Sequence, residues 1–149
     1  VFGDARLTLV GDGLQRADLH HFAAALDQTA HIDFLGQRED VPQLLHAADV
    51  CWAPSTAGRS RQVVLEAMAA GCPVVAADRP GLREIIEDGR TGFVVPPGDK
   101  VALCKRTRSL FLDGPLARQM GEAAQAHVAR HFAPATFAQR WTEQYAAAA

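Results

Sequence analysis

The chain has 149 residues, a length that suits one domain around one core. Hydrophobic residues supply 48% and charged residues 21%, with 15 basic against 17 acidic side chains. That profile is of an ordered globular chain, and its near-neutral balance offers no electrostatic reason to bind nucleic acid. No apolar run approaches the roughly 20 residues of a membrane span, no signal peptide is expected at the start, and a cytoplasmic location follows.

In chain order, Arg6-Leu7-Thr8-Leu9-Val10 is a short β-rich run stopped by Gly11-Asp12-Gly13. Leu14 to Thr29 reads as a helix with Leu19, Phe22, Ala23 and Leu26 on one apolar face. His31 to Leu35 is a second strand stopped by Gly36, and Val41 to Ala48 a short helix with Pro42 near its start, where proline is tolerated. Asp49 to Ala53 is a third strand ending at Pro54-Ser55. A loop through Gly58 leads into a helix over Gln62 to Ala70, with Gly71 as its C-terminal cap. Pro73 to Ala76 and Thr91 to Val95 are strands, with a short helix expected between them over Leu82 to Glu87. The remainder reads as helices over Lys100 to Leu112, Leu116 to His131 and Phe137 to Tyr145.

Strands alternating with helices indicate parallel β-α-β units, and continuous apolar strands indicate a sheet covered on both faces. The expected fold is α/β and Rossmann-like, one domain over residues 1–149 with a terminal helix from 131. The three cysteines, Cys51, Cys72 and Cys104, are widely spaced among apolar neighbours and read as reduced core residues.

Ligands of an open parallel sheet sit beyond the carboxyl ends of its strands, which selects three loops. Gly11-Asp12-Gly13 leaves the first strand, Gly36-Gln37-Arg38 the second, and Pro54 to Arg61 the third. The third is the richest. A helix starting near Ser60 offers unpaired N–H groups to an anion, small residues allow close approach, and Arg59 and Arg61 carry charge that can meet a diphosphate. One turn on, Glu66 can accept two hydrogen bonds from vicinal hydroxyls such as those of a ribose. Each feature taken alone also has a plain structural reading: a tight turn, surface arginines, a solvated helix glutamate. Their joint position at one sheet edge is what points to a site.

Leu9-Val10-Gly11-Asp12-Gly13, Phe34-Leu35-Gly36, Asp49-Val50, Pro54-Ser55 and Leu65-Glu66-Ala67-Met68-Ala69-Ala70-Gly71-Cys72-Pro73-Val74-Val75-Ala76 follow one another along the chain. Gly81 to Ile86, Asp88-Gly89-Arg90-Thr91-Gly92 and Pro96-Pro97-Gly98-Asp99 complete the series. Over nearly its whole length the sequence resembles the C-terminal domain of the family 4 (group 1) retaining glycosyltransferases. The resemblance implies a GT-B enzyme of two Rossmann-like domains, with a UDP- or GDP-sugar as donor and no metal ion or other cofactor. It implies that Glu66 binds the ribose hydroxyls, that Ser60, Arg61 and Gln62 meet the phosphates through backbone N–H groups, and that Gly36, Gln37 and Arg38 hold the base. Gly11, Gly13, Ser55 and Gly58 complete the implied donor site; no catalytic residue is singled out.

Two departures bear on activity. The family carries a second glutamate that helps hold the donor sugar, and Gly58 stands at that position, with Arg59-Ser60-Arg61 after it. The family's domain also opens with one more strand and helix, bearing an arginine and a lysine for the diphosphate, which nothing before Arg6 supplies. The chain begins at Val1 rather than methionine, as expected of a processed or excised piece. In a 3-2-1-4-5-6 order that strand is central, so the sheet is expected to be completed by another chain, by a truncated part of the same protein, or by direct re-pairing of its neighbours. The acceptor-binding N-terminal domain, through which such an enzyme can lie at a membrane, is a further missing partner, so the isolated chain is expected to be inactive.

Phe137, Trp141 and Tyr145 form one aromatic face, docked on the domain or serving self-association. His127 and His131 have metal-compatible spacing, but no glutamate follows the first histidine, and no metal site is expected. Besides a donor domain, two other readings stay open: a non-catalytic remnant acting through binding or assembly, and half of a sugar-nucleotide epimerase of the same architecture.

Overall fold

The computed structural model describes residues 4–55 and 60–133. They form β1 (Leu7–Val10), α1 (Arg16–Ala25), a 3₁₀ turn at Thr29–His31, β2 (Ile32–Gly36), α2 (Val41–Ala47), β3 (Cys51–Ala53), α3 (Ser60–Ala69), β4 (Val74–Ala77), β5 (Phe93–Val95), α4 (Lys100–Leu112) and α5 (Gly114–His131). The strands are parallel throughout, the α/β class that the alternation of elements implies. The chain divides into two compact units, the first ending at Val41 and the second beginning at Pro42.

In the first unit β1 pairs with β2, Leu7 opposite Ile32 and Leu9 opposite Phe34, with a register shift before Val10 meets Gly36. The apolar face expected of α1 exists but buries only Ala23; Leu19, Phe22 and Leu26 remain 45%, 63% and 54% exposed. His20 stacks its ring on Phe34 at 3.7 Å between centroids.

The second unit holds a three-stranded sheet in the order β3-β4-β5. Every residue of β4, Val74-Val75-Ala76-Ala77, is buried, as a central parallel strand covered on both faces requires. On one face Val74 and Ala76 meet Val64, Ala67 and Met68 of α3, and Ala124 of α5. On the other, Val75, Phe93 and Val95 pack with Leu110 of α4 and Met120 of α5. Among the described residues β1 pairs only with β2 and β3 only with β4, so direct re-pairing of β1 with β3 does not occur.

Local chemistry explains the helix ends. Gly71, at φ +76°, closes α3: Cys72 N–H donates to Ala67 O and Gly71 N–H to Met68 O, the paired bonds of a Schellman cap. Asp99 caps α4 through Ala102 N–H and Asp113 caps α5 through Leu116 N–H, each at 2.9 Å.

Two expectations are corrected here. Leu82 to Glu87 is a run of turns, not a helix: Pro80 and Gly81, the latter at φ +86°, set a tight bend with Leu82 N–H on Arg79 O. Ile85 and Ile86 N–H both donate to Leu82 O, a single turn, and Thr91 then accepts the Glu87 N–H, so the ladder stops after that turn. Cys104 is exposed on α4 rather than a core residue; Cys51 is half-buried and Cys72 buried. The stretch from Phe137 to Tyr145 lies outside the described residues, as do Gly58 and Arg59.

Candidate functional site

In the second unit β3, β4 and β5 run parallel, so the segments after Ala53, Ala77 and Val95 leave one sheet edge. α3 rises from that edge, starting at Ser60. Its first turns carry Arg61, Gln62 and Glu66, and the first-turn N–H groups of any helix lack partners within it. Glu66 is half-buried between the fully buried Val64, Ala67 and Met68. That packing fixes its backbone while its carboxylate reaches the α3 surface, where Gln62 Nε2 donates to Oε1 at 2.9 Å. Arg61 is exposed at the start of α3, with Nη1 3.8 Å from a Glu84 oxygen. Arg61 Nη1 also lies beside Gly81, where a Cβ would meet it at an ordinary contact distance of 3.6 Å.

The loop after β4 adds a second charged group at the same edge. Arg83 donates to both oxygens of Asp78 and holds that carboxyl below its ordinary value of 3.8. These two residues, with Ile86, Asp88, Val94 and Pro96, line a cavity of about 290 Å³. Among the described residues no group of three or more His, Cys, Asp or Glu side chains is arranged to hold a metal. The paired histidines of α5 have other contacts: His127 Nδ1 lies 3.2 Å from Glu87 and its ring 4.7 Å from that of His131.

The first unit brings the glycines of its two loops together. Gly11 N–H donates to Gly36 O at 2.7 Å, with φ values of +125° and +67° that favour glycine at both positions. Gly13 O accepts the Arg16 N–H, opening α1. Arg38 is engaged by Asp40, donating from Nε and Nη2 at 2.7 Å each. Arg16, which sequence reasoning passed over, lies beside Gly36: a Cβ there would be 3.3 Å from its Nη1. Its guanidinium also reaches Asp12 and Phe34 O at 3.5 Å. Thus Gly11, Gly13, Gly36 and Arg38 gather at the carboxyl ends of β1 and β2, while Ser55, Ser60, Arg61, Gln62 and Glu66 gather at those of the second sheet.

Comparison with known proteins decides the family. The sequence profile described as "Glycosyl transferases group 1" matches residues 1–113. The chain belongs to the group 1 glycosyltransferases. Its likeness is to their C-terminal, GT-B domain. A phosphatidyl-myo-inositol mannosyltransferase of Mycobacterium leprae is 40% identical over 134 residues, covering 88% of this chain and 35% of that protein. A D-inositol 3-phosphate glycosyltransferase of Nocardia farcinica is 37% identical over 141 residues, 93% of this chain and 31% of that one. The crystal structure of Anabaena HepE in complex with UDP-glucose superposes with a TM-score of 0.85 at 34% identity, over 95% of this chain and 41% of HepE. The chain therefore spans only 31–41% of the length of these group 1 relatives. Among the described residues no helix is long and apolar enough to cross a membrane.

Proposed function

We propose that this chain is the donor-binding half of a retaining glycosyltransferase, working on a UDP- or GDP-sugar without a metal ion. The observation that carries the reading is the start of α3, where a half-buried Glu66 stands one turn beyond Arg61 at the carboxyl edge of the sheet. A carboxylate held by a packed helix can accept from two vicinal ribose hydroxyls, each bond charge-assisted. The diphosphate would lie at the helix start, against backbone N–H groups and the Arg61 guanidinium. Arg61 is exposed and pairs with Glu84 only at 3.8 Å, so a diphosphate can take over that contact at small cost. Stabilising the departing diphosphate in this way is the electrostatic service that glycosyl transfer needs. The crystallised HepE complex with UDP-glucose, at 34% identity, supports a nucleotide sugar as the ligand.

Transfer further requires an acceptor held beside the donor sugar, a task for the other half of such an enzyme, and in this reading the protein works in the cytoplasm. Gly58 stands where a donor-sugar glutamate is expected. That substitution favours a second reading, a non-catalytic module that keeps the fold and acts through binding or self-association that completes the sheet. Calorimetric titration with UDP, GDP and ADP separates the two. The donor reading predicts binding of at least one nucleotide, weakened about 10- to 100-fold in Glu66→Ala through loss of charge-assisted hydrogen bonds. No binding to any of the three selects the second reading. Sugar transfer by the isolated chain would contradict its proposed dependence on an acceptor half.

A further inference from the structure

Gln62 and Glu66 lie four residues apart on α3, the spacing that stacks side chains on one helix face. Gln62 Nε2 donates to Glu66 Oε1 at 2.9 Å. The contact has three physical consequences. The glutamine amide is neutral, so it orients the carboxylate without cancelling its charge. An ionised carboxylate has about four lone-pair sites, so one donor at Oε1 leaves Oε2 and the second site of Oε1 open. Finally, the packing of Val64, Ala67 and Met68, all at 0% exposure, anchors the helix beneath Glu66 but does not fix the terminal torsion of its side chain. That torsion is broad and roughly two-fold when nothing holds it.

We infer that Gln62 is a positioning residue that sets the plane of the Glu66 carboxylate, and through it the selectivity for ribose over 2′-deoxyribose. The inference rests on the reading of Glu66 as the ribose acceptor. A vicinal diol needs both carboxylate oxygens presented together, so rotation of the carboxylate breaks one of its two bonds. A 2′-deoxyribose offers a single hydroxyl and accepts either orientation. Holding the plane in advance therefore strengthens ribose binding more than deoxyribose binding, because the ordering cost is met before the ligand arrives. Gln62 is itself exposed, so removing its amide leaves the core intact.

The test is calorimetric titration of UDP and 2′-deoxy-UDP into the full chain, Gln62→Met, Glu66→Ala and the double variant. Methionine keeps the length and helix propensity of glutamine without its donor. Gln62→Leu serves as a second variant, and a melting curve of each confirms folding. The ribose-to-deoxyribose affinity ratio should fall about two- to tenfold in Gln62→Met. It should collapse towards one in Glu66→Ala, with no further change in the double variant. If Glu66→Ala abolishes the discrimination while Gln62→Met and Gln62→Leu keep the parent ratio, the positioning role is overturned and the ribose reading of Glu66 stands. If Glu66→Ala keeps the ratio, measured with the GDP or ADP pair where the chain prefers that base, or the parent chain binds none of the three nucleotides, the ribose reading itself falls and the role of Gln62 with it.

Discussion

Replacing Gly121 with alanine tests how α3 is held in place beneath the site. Gly121 lies inside α5, buried, where α5 crosses the end of α3. A Cβ built there would lie 2.1 Å from Gly71 O and 3.1 Å from Gly71 C. Non-bonded heavy atoms rest at roughly 3.5 Å, so the backbone at Gly71 must retreat by about 1.4 Å. The obstacle is a backbone carbonyl in the Schellman cap of α3, not the far end of a flexible side chain. Overpacking of this kind costs about 1–3 kcal/mol, and rigid backbone places it at the top of that range. Alanine returns about 1 kcal/mol of helix propensity, leaving a net loss of about 2 kcal/mol. For a chain of this size that lowers Tm by about 4–8 °C. Circular-dichroism melts of Gly121→Ala beside Gly114→Ala, where a Cβ meets nothing within 4 Å, isolate the effect. A Gly121→Ala protein as stable as its parent would refute the close approach of α5 to the α3 cap.

Other consequences follow from single contacts. Trp52 Nε1 donates to Thr107 Oγ1 at 2.8 Å, and that hydroxyl donates on to Leu103 O. Thr107→Val, which keeps the shape and removes the acceptor, should cost about 1–2 kcal/mol in urea unfolding. An unchanged midpoint would show that the indole finds water instead. Burial pushes the Cys51 thiol up to about 11 and that of Cys72 up to about 12, while Cys104 is exposed. At pH 8 a thiol reagent should therefore label Cys104 rapidly, and the other two only after unfolding; fast labelling of Cys72 in the folded protein would contradict its burial. Hydrogen bonds from Arg6, Arg38 and Arg83 lower the carboxyls of Asp33, Asp40 and Asp78 below 3.8. Depressed folded values mean that these pairs stabilise above the unfolded pKa and cease to do so as pH falls through the lowered ones. Asp78→Asn should accordingly flatten the acid limb of a Tm–pH profile below about pH 4, and an unaltered limb would remove the pair from that account.

Much of this was legible in the sequence, for reasons that differ by element. Val74 to Ala77 is a continuous apolar run between Pro73 and Asp78, and such a run has no stable place except the middle of a covered sheet. Gly71 announced the end of α3 because the left-handed turn there suits no other residue so well. What depends on distant partners was hidden. The stretch from Leu82 to Glu87 has helical composition, yet it makes a single turn on Leu82 O before Thr91 takes the Glu87 N–H. Arg61 looked like a free cation until folding set Glu84 beside it, 23 positions along the chain. The apolar face of α1 was legible as a pattern, but only Ala23 of it is buried, because burial depends on partners from other elements. Glu66 was named as a ribose ligand through its family motif, whereas the bond from Gln62 lay only in an i, i+4 spacing that many helices share.

The central claim, that α3 is the ribose- and diphosphate-binding helix of a glycosyltransferase donor site, is tested most directly by a crystal structure of the chain with UDP. The account predicts both ribose hydroxyls within hydrogen-bonding distance of the Glu66 carboxylate and the diphosphate against the N–H groups of residues 60–62. UDP bound elsewhere on the molecule, with Glu66 facing only solvent and Gln62, would contradict it.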